Sequence, residues 1–196
     1  MSFQVVKDFE QDIADFFSAP YAVAVDCCTH GLELCLRLDD IRAISVPTNT
    51  YISVPFLAEK LGILRSWNTH AWEDYYYLTP YIIDAAVLWK RGSYIPGTKM
   101  SVSFQFKKHL SLGRGGMILL DNEEEAIALK KMSYDGRHPD EPWIEQNIAT
   151  VGYHYYMTPE TAKLGMSKLV EAINTAPIRL TNEDYPDLTK QMDIFK

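Results

Sequence analysis

Apolar residues recur at helical spacing along residues 5–17, where Val6, Phe9, Ile13, Phe16 and Phe17 share one face. This predicts an amphipathic helix that ends before Pro20. The short apolar run Tyr21 to Val25 then reads as a buried strand, and Thr29 as the N-cap of a helix over GLELCLRL. The alternation continues with a strand at Ala43 to Val46, a helix at Ser53 to Leu61 and a strand at Ile63 to Trp67. Tyr81 to Ile83 predicts another short strand, Ser101 to Phe106 alternates polar with apolar residues, and Met117 to Leu120 is apolar again. The glycine-rich turn LSLGRGG lies between the last two. Asn122 is placed to cap EEEAIALKKM, whose acidic start and basic end suit the helix dipole.

Strands alternating with helices predict an α/β layered fold with a largely parallel sheet. The pattern sustains one α/β domain over residues 1–133. Residues 134–148 are polar and proline-bearing and predict a long loop. Residues 159–173 predict one more amphipathic helix, with Leu164, Met166 and Leu169 as apolar positions, and the tail from Pro177 is weakly patterned. Residues 134–196 therefore read as a loop followed by a helical segment.

Composition narrows the class. The chain has 196 residues, 47% of them hydrophobic, so it can bury a proper core. A net charge of −7 argues against nucleic acid or an anionic membrane as its partner. Its three cysteines, Cys27, Cys28 and Cys35, lack the spacing of a metal site, and adjacent cysteines rarely bridge. They read as reduced thiols of a cytoplasmic protein. The acidic, amphipathic start MSFQVVKDFEQD does not resemble a signal peptide, and the apolar runs are too short to span a bilayer.

Three local features could carry chemistry. Asp84 closes the apolar strand YIID, and α/β sheets tend to bind ligands at the C-terminal ends of their strands. A cap or turn aspartate is the plainer reading. SFQFKKHLSLGRGG sets two lysines after a strand; a desolvated lysine there can attack a carbonyl, whereas a typical lysine pair is simply solvated. The DCCTH turn opens a helix whose first N–H groups could cradle a phosphate. The order of these features suits pyridoxal 5'-phosphate (PLP). Its phosphate needs N–H and hydroxyl groups, its pyridine nitrogen a carboxylate, its aldehyde a lysine and its ring a flat partner.

At this point the residues resemble the DegT/DnrJ/EryC1/StrS family of PLP-dependent sugar aminotransferases. YAVAVDCCTHGLEL matches the family's YAVAVSSGTAAL-like segment, and VPTNTYISV its VP-x-x-T-aromatic segment. Ile83-Asp84-Ala85-Ala86 matches its E-D-A-A strand end. The pattern S-F-x-x-x-K-x-L-x-x-G-x-G-G stands intact from Ser103 to Gly116 and is the most specific match. GYHYYM before TPETAKLGMSKL matches its G-Y-N-Y-R-M segment.

The resemblance implies the large domain of the aspartate aminotransferase-like fold type I, with the C-terminal domain largely missing. It assigns Lys108, and not Lys107, as the catalytic lysine that bonds the cofactor's aldehyde. It gives Asp84 to the pyridine nitrogen, and Ser103 with Cys28, Thr29 and His30 to the phosphate. Tyr51 would lie over the ring, and His154 would reach the phosphate of a neighbouring subunit in a homodimer with shared active sites. The implied reaction moves an amine from glutamate or glutamine to a keto-sugar on a nucleotide carrier. Cys28, Val87, Gln105, His154 and Tyr156 depart from the family's usual residues. Two other readings stay open: a pared-down relative that keeps the fold without turnover, and a small α/β protein that binds sugar phosphates or nucleotides at DCCTH.

Overall fold

The computed structural model describes residues 3–191 and 193–195. Helix α1 (Gln4–Phe17) leads through a left-handed Ser18 into β1 (Tyr21–Val25). There follow α2 (Cys28–Leu38), β2 (Ala43–Pro47), α3 (Ser53–Leu61) and β3 (Leu64–Asn68). The strands β4 (Tyr76–Tyr77), β5 (Ile82–Asp84), β6 (Lys99–Ser103) and β7 (Gly116–Leu120) precede α4 (Glu123–Ser133). Asn122 caps α4 by accepting the Glu125 N–H at 3.1 Å, as the sequence predicts. Beyond it lie a loop with one 3-10 turn (Trp143–Glu145), then α5 (Pro159–Asn174) and α6 (Leu188–Gln191).

The main sheet has the order β1-β7-β6-β5-β4, and β2 pairs with β3 in a separate parallel pair. The fold is α/β as expected, but the sheet is mixed rather than mostly parallel. Within it only β5 and β6 run parallel; β1 with β7, β6 with β7, and β4 with β5 are antiparallel. The tight turn at residues 78–81 makes β4 and β5 antiparallel, whereas the β5–β6 and β6–β7 links, residues 85–98 and 104–115, both lack a helix and give opposite directions.

Both faces of this sheet are covered. Along β1, Ala22 and Ala24 face one apolar cluster and Val23 and Val25 the other. Along β7, Met117 and Leu119 alternate in the same way with Ile118 and Leu120. One cluster holds α1 and α5, where Phe9, Ile13 and Phe17 are completely buried. Burying each such side chain contributes roughly 1.5–3 kcal/mol. Gly165 of α5 lets the helices touch, since a Cβ there would lie 2.5 Å from the Phe9 ring. The other cluster holds α2, α3 and α4.

Two local expectations fail. Thr29 does not cap α2: Cys27 occupies that position, and Thr29 lies inside the helix with its Oγ1 2.7 Å from Ser53 Oγ. The tail after Pro177 is more ordered than its pattern suggested. Asn182 N donates to Trp72 O, and Asn182 Oδ1 accepts from Trp72 N. A bridge joins Thr181 to Glu73, another joins Asp187 to Asn49, and Leu188 N donates to Thr48 O. The tail is thus pinned across the loops after β2 and β3. Among the described residues no helix is long and apolar enough to cross a membrane.

Candidate active site

The end of β5, the start of α2 and the β6–β7 link meet around a cavity of about 950 Å³. Its wall includes Cys28, Thr29, Tyr51, Asp84, Ser103 and Lys108, six of the eight residues that the sequence singled out.

Asp84 is the buried centre of the site. Its Oδ2 accepts the Tyr76 hydroxyl at 2.6 Å and its Oδ1 accepts the Ala86 N–H at 2.9 Å. The Tyr76 hydroxyl also meets Thr50 Oγ1 at 2.5 Å, so three buried side chains form one hydrogen-bonded row. Burial pushes the Asp84 carboxyl above its ordinary range; the Tyr76 and Ala86 bonds and the charge of Lys108 pull it back. Each oxygen keeps a lone pair for a further donor. The Cys28 side chain turns inward, with Sγ 3.3 Å from Ser101 O and 3.9 Å from Asp84 Oδ1. Burial raises its thiol far above the ordinary value, so it stays protonated.

Lys108 is half-buried, and its amine has no ion pair or hydrogen bond among the described residues. Burial lowers its pKa, while Cys28 and Asp84 act in the opposite direction. Lys107 is exposed, its Nζ 5.7 Å from the Phe106 ring centre. Ser103 Oγ accepts the Gln105 N–H at 3.3 Å, and Tyr51 is 55% exposed at the mouth.

The glycine turn explains how the link reaches α2. A Cβ on Gly116 would lie 2.5 Å from Cys28 N and 2.7 Å from Cys27 C, so only glycine lets β7 pass the start of that helix.

Two candidates stand elsewhere. His30 Nδ1 bonds Asp26 Oδ1 at 2.6 Å, and its ring stacks on Tyr155 at 3.6 Å, so it is not part of the wall. Burial alone would lower its pKa, but the bonds to Asp26 and Cys27 raise it to about 9. His154 also lies away from the cavity, exposed, with Nδ1 3.2 Å from Asp135 Oδ2. Asp26, Cys27 and His30 bring three potential metal-ligand atoms within 4.8 Å. The Asp26 carboxylate is nevertheless already shared between His30 and Arg114, which lies 2.7 Å from its other oxygen.

Several wall residues escaped the sequence reading. Tyr76 and Trp72 come from the aromatic run before β5, and Leu180, Asp184 and Tyr185 from the pinned tail. Tyr185 packs on Trp72 at 5.6 Å; burial, followed by the nearby negative charge of Asp84, pushes its phenol up to about 12. Arg114 was visible in GRGG but read only as part of a turn.

The chain resembles AtS13 from Actinomadura melliaura, with a TM-score of 0.74 and 19% identity over 88% of this chain and 61% of that one. It resembles a putative sugar aminotransferase from Streptococcus pneumoniae in its PLP form, with a TM-score of 0.72 and 17% identity over 86% of this chain and 59% of that one. An uncharacterized protein of Methanocaldococcus jannaschii is 28% identical over 167 residues, 78% of this chain and 41% of its own. The chain therefore spans less than two thirds of each of these relatives. The profile of the DegT/DnrJ/EryC1/StrS aminotransferase family matches residues 1–97 and 90–185, and the chain belongs to that family.

Proposed function

We propose that the protein binds PLP in this cavity and transfers an amine from glutamate or glutamine to a keto-sugar carried on a nucleotide. One observation carries the reading: the amine of Lys108, without a protein partner among the described residues, shares a cavity with the buried carboxylate of Asp84 and the start of α2.

The residues present fit the cofactor. When bound, PLP supplies an electron sink for the carbon that carries the amine. Lys108 holds the aldehyde carbon and, once released from it, moves a proton at Nζ; its desolvated site favours the neutral amine this requires. Asp84 offers its remaining lone pairs to the pyridine N–H. The first N–H groups of α2, with the hydroxyls of Thr29 and Ser103, receive the phosphate, while the Cys28 side chain turns inward toward Ser101 O. Tyr51 flanks the ring. Tyr185 and Trp72 close the far wall and keep water from the reacting carbon.

In this reading residues 1–133 form the cofactor unit, and residues 134–196 pack on it and on a second copy of the chain. The protein acts in the cytoplasm as a homodimer with shared sites. The exposed Trp143, Ile144 and Val151 support a partner on that side, and His154 would reach the partner's cavity from there. The departures at Cys28, Val87, Gln105, His154 and Tyr156 favour a second reading, a relative that holds PLP without turnover.

The visible spectrum of purified protein mixed with PLP tests the first step. A band from lysine-bound cofactor, absent in Lys108→Ala, supports binding; no band in the wild type sinks it. A shift of that band on adding glutamate or glutamine separates the enzyme from the silent holder.

A further inference from the structure

The β6–β7 link brings a second anchored cation to the cavity, and the reading above leaves it unused. Arg114 follows Gly113, whose φ of +82° turns the chain back toward the start of α2. Its Nη2 lies 2.7 Å from Oδ2 of Asp26, the residue just before the cap of α2. Asp26 is itself fixed from two other sides. Its N–H donates to Tyr155 O at 2.7 Å, and its Oδ1 meets His30 Nδ1 at 2.6 Å. His30 in turn is stacked on Tyr155 with rings 13° apart. The Arg114 guanidinium therefore stands on a braced carboxylate rather than swinging freely.

Charge at this end is unbalanced. One carboxylate, Asp26, serves two cations, Arg114 and a histidine that is protonated at neutral pH. The partial positive charge of the α2 N-terminus adds to the excess. A guanidinium has five N–H donors in a fixed fork; Arg114 bonds Asp26 and also interacts with Cys27, which leaves further donors open. Two cations and a helix start around one carboxylate are completed by a second anion on the cavity side.

We infer that Arg114 is a phosphate-binding residue: steadied by Asp26, its guanidinium joins the first N–H groups of α2 in holding the cofactor's phosphate from within the same chain. This rests on the PLP reading above and sharpens it. The phosphate then has a cation from its own subunit, whatever His154 of a second copy contributes.

The test compares PLP with pyridoxal, which lacks the phosphate. Each is titrated into wild-type protein, Arg114→Gln and Arg114→Lys, following the visible band of lysine-bound cofactor and tryptophan quenching. Arg114 is largely exposed on a turn, so both variants retain the fold. Losing one charge-assisted bond to phosphate weakens PLP about 10- to 100-fold in Arg114→Gln, with pyridoxal unchanged and Arg114→Lys in between. Unchanged PLP affinity in Arg114→Gln, or an equal loss for PLP and pyridoxal, overturns the assignment. No band in the wild type with either compound overturns the PLP reading itself, and the Arg114 assignment with it.

Discussion

The Tyr76 hydroxyl donates to Asp84 Oδ2 across 2.6 Å, fully buried, and its other neighbour is Thr50. The carboxylate at the heart of the site thus depends on a two-residue strand for one of its hydrogen bonds. Tyr76→Phe leaves that oxygen one donor short, at a cost of about 1–3 kcal/mol. The loss also depends on pH. Asp84 already titrates above its ordinary value, and removing a bond that lowers it moves it higher. A raised carboxyl leaves stability intact below its unfolded pKa and loses it as pH rises through the folded value. Urea unfolding should therefore show a deficit that is smaller near pH 4 than at pH 7. A deficit that does not vary with pH would refute the coupling.

The two adjacent lysines should behave oppositely. Lys107→Ala keeps the cofactor band, because Lys107 is exposed and rests near Phe106. Lys108→Ala removes it. Absorbance of the two variants in the presence of PLP decides the matter.

Gly116→Ala should be poorly tolerated. The added methyl meets backbone, Cys28 N at 2.5 Å, so no side chain can rotate away. We expect a loss of about 2 kcal/mol or more, seen as a lower urea midpoint and a displaced start of α2. Wild-type stability would show that β7 can shift away from that helix.

His30 should give the protein an alkaline weakness. Its folded pKa is about 9 against an ordinary 6.5. A raised histidine contributes stability that is complete below its unfolded value and lost as pH rises through its folded one. Melting temperature should fall between about pH 6.5 and 9 from this cause. His30→Phe, which keeps the stacking on Tyr155, should remove that part of the slope.

Much of this was readable from the chain. The apolar runs of β1 and the periodic α3 stand where the sequence placed them, because each is bounded by a break: Pro20 before β1 and Gly62 after α3. Strand direction was not readable from apolar patterning, which is the same for either orientation. Only the link at residues 78–81, too short for a crossover, held such information, and only for β4 and β5. β4 was missed because two residues inside an aromatic run show no alternation. Lys108, Asp84, Ser103, Cys28, Thr29 and Tyr51 converge on one cavity as the motif order suggested. His30 does not, since Asp26, one helical turn earlier, holds its ring. Tyr185 was invisible because its partner Trp72 is distant in the chain and nothing local marks the pair.

The pinned tail also sets an order of assembly. Asp84, Ser103 and Lys108 are made early, and the sheet that carries them is complete at Leu120. Leu180, Asp184 and Tyr185 leave the ribosome long after, so a nascent chain carries its lysine and carboxylate in an open trough. Only when Asn182 locks onto Trp72 does the trough gain its last wall. Retention of a ligand in the finished cavity then reports that synthesis has run through that point, and a prematurely stopped chain would be leaky even where its sheet is sound.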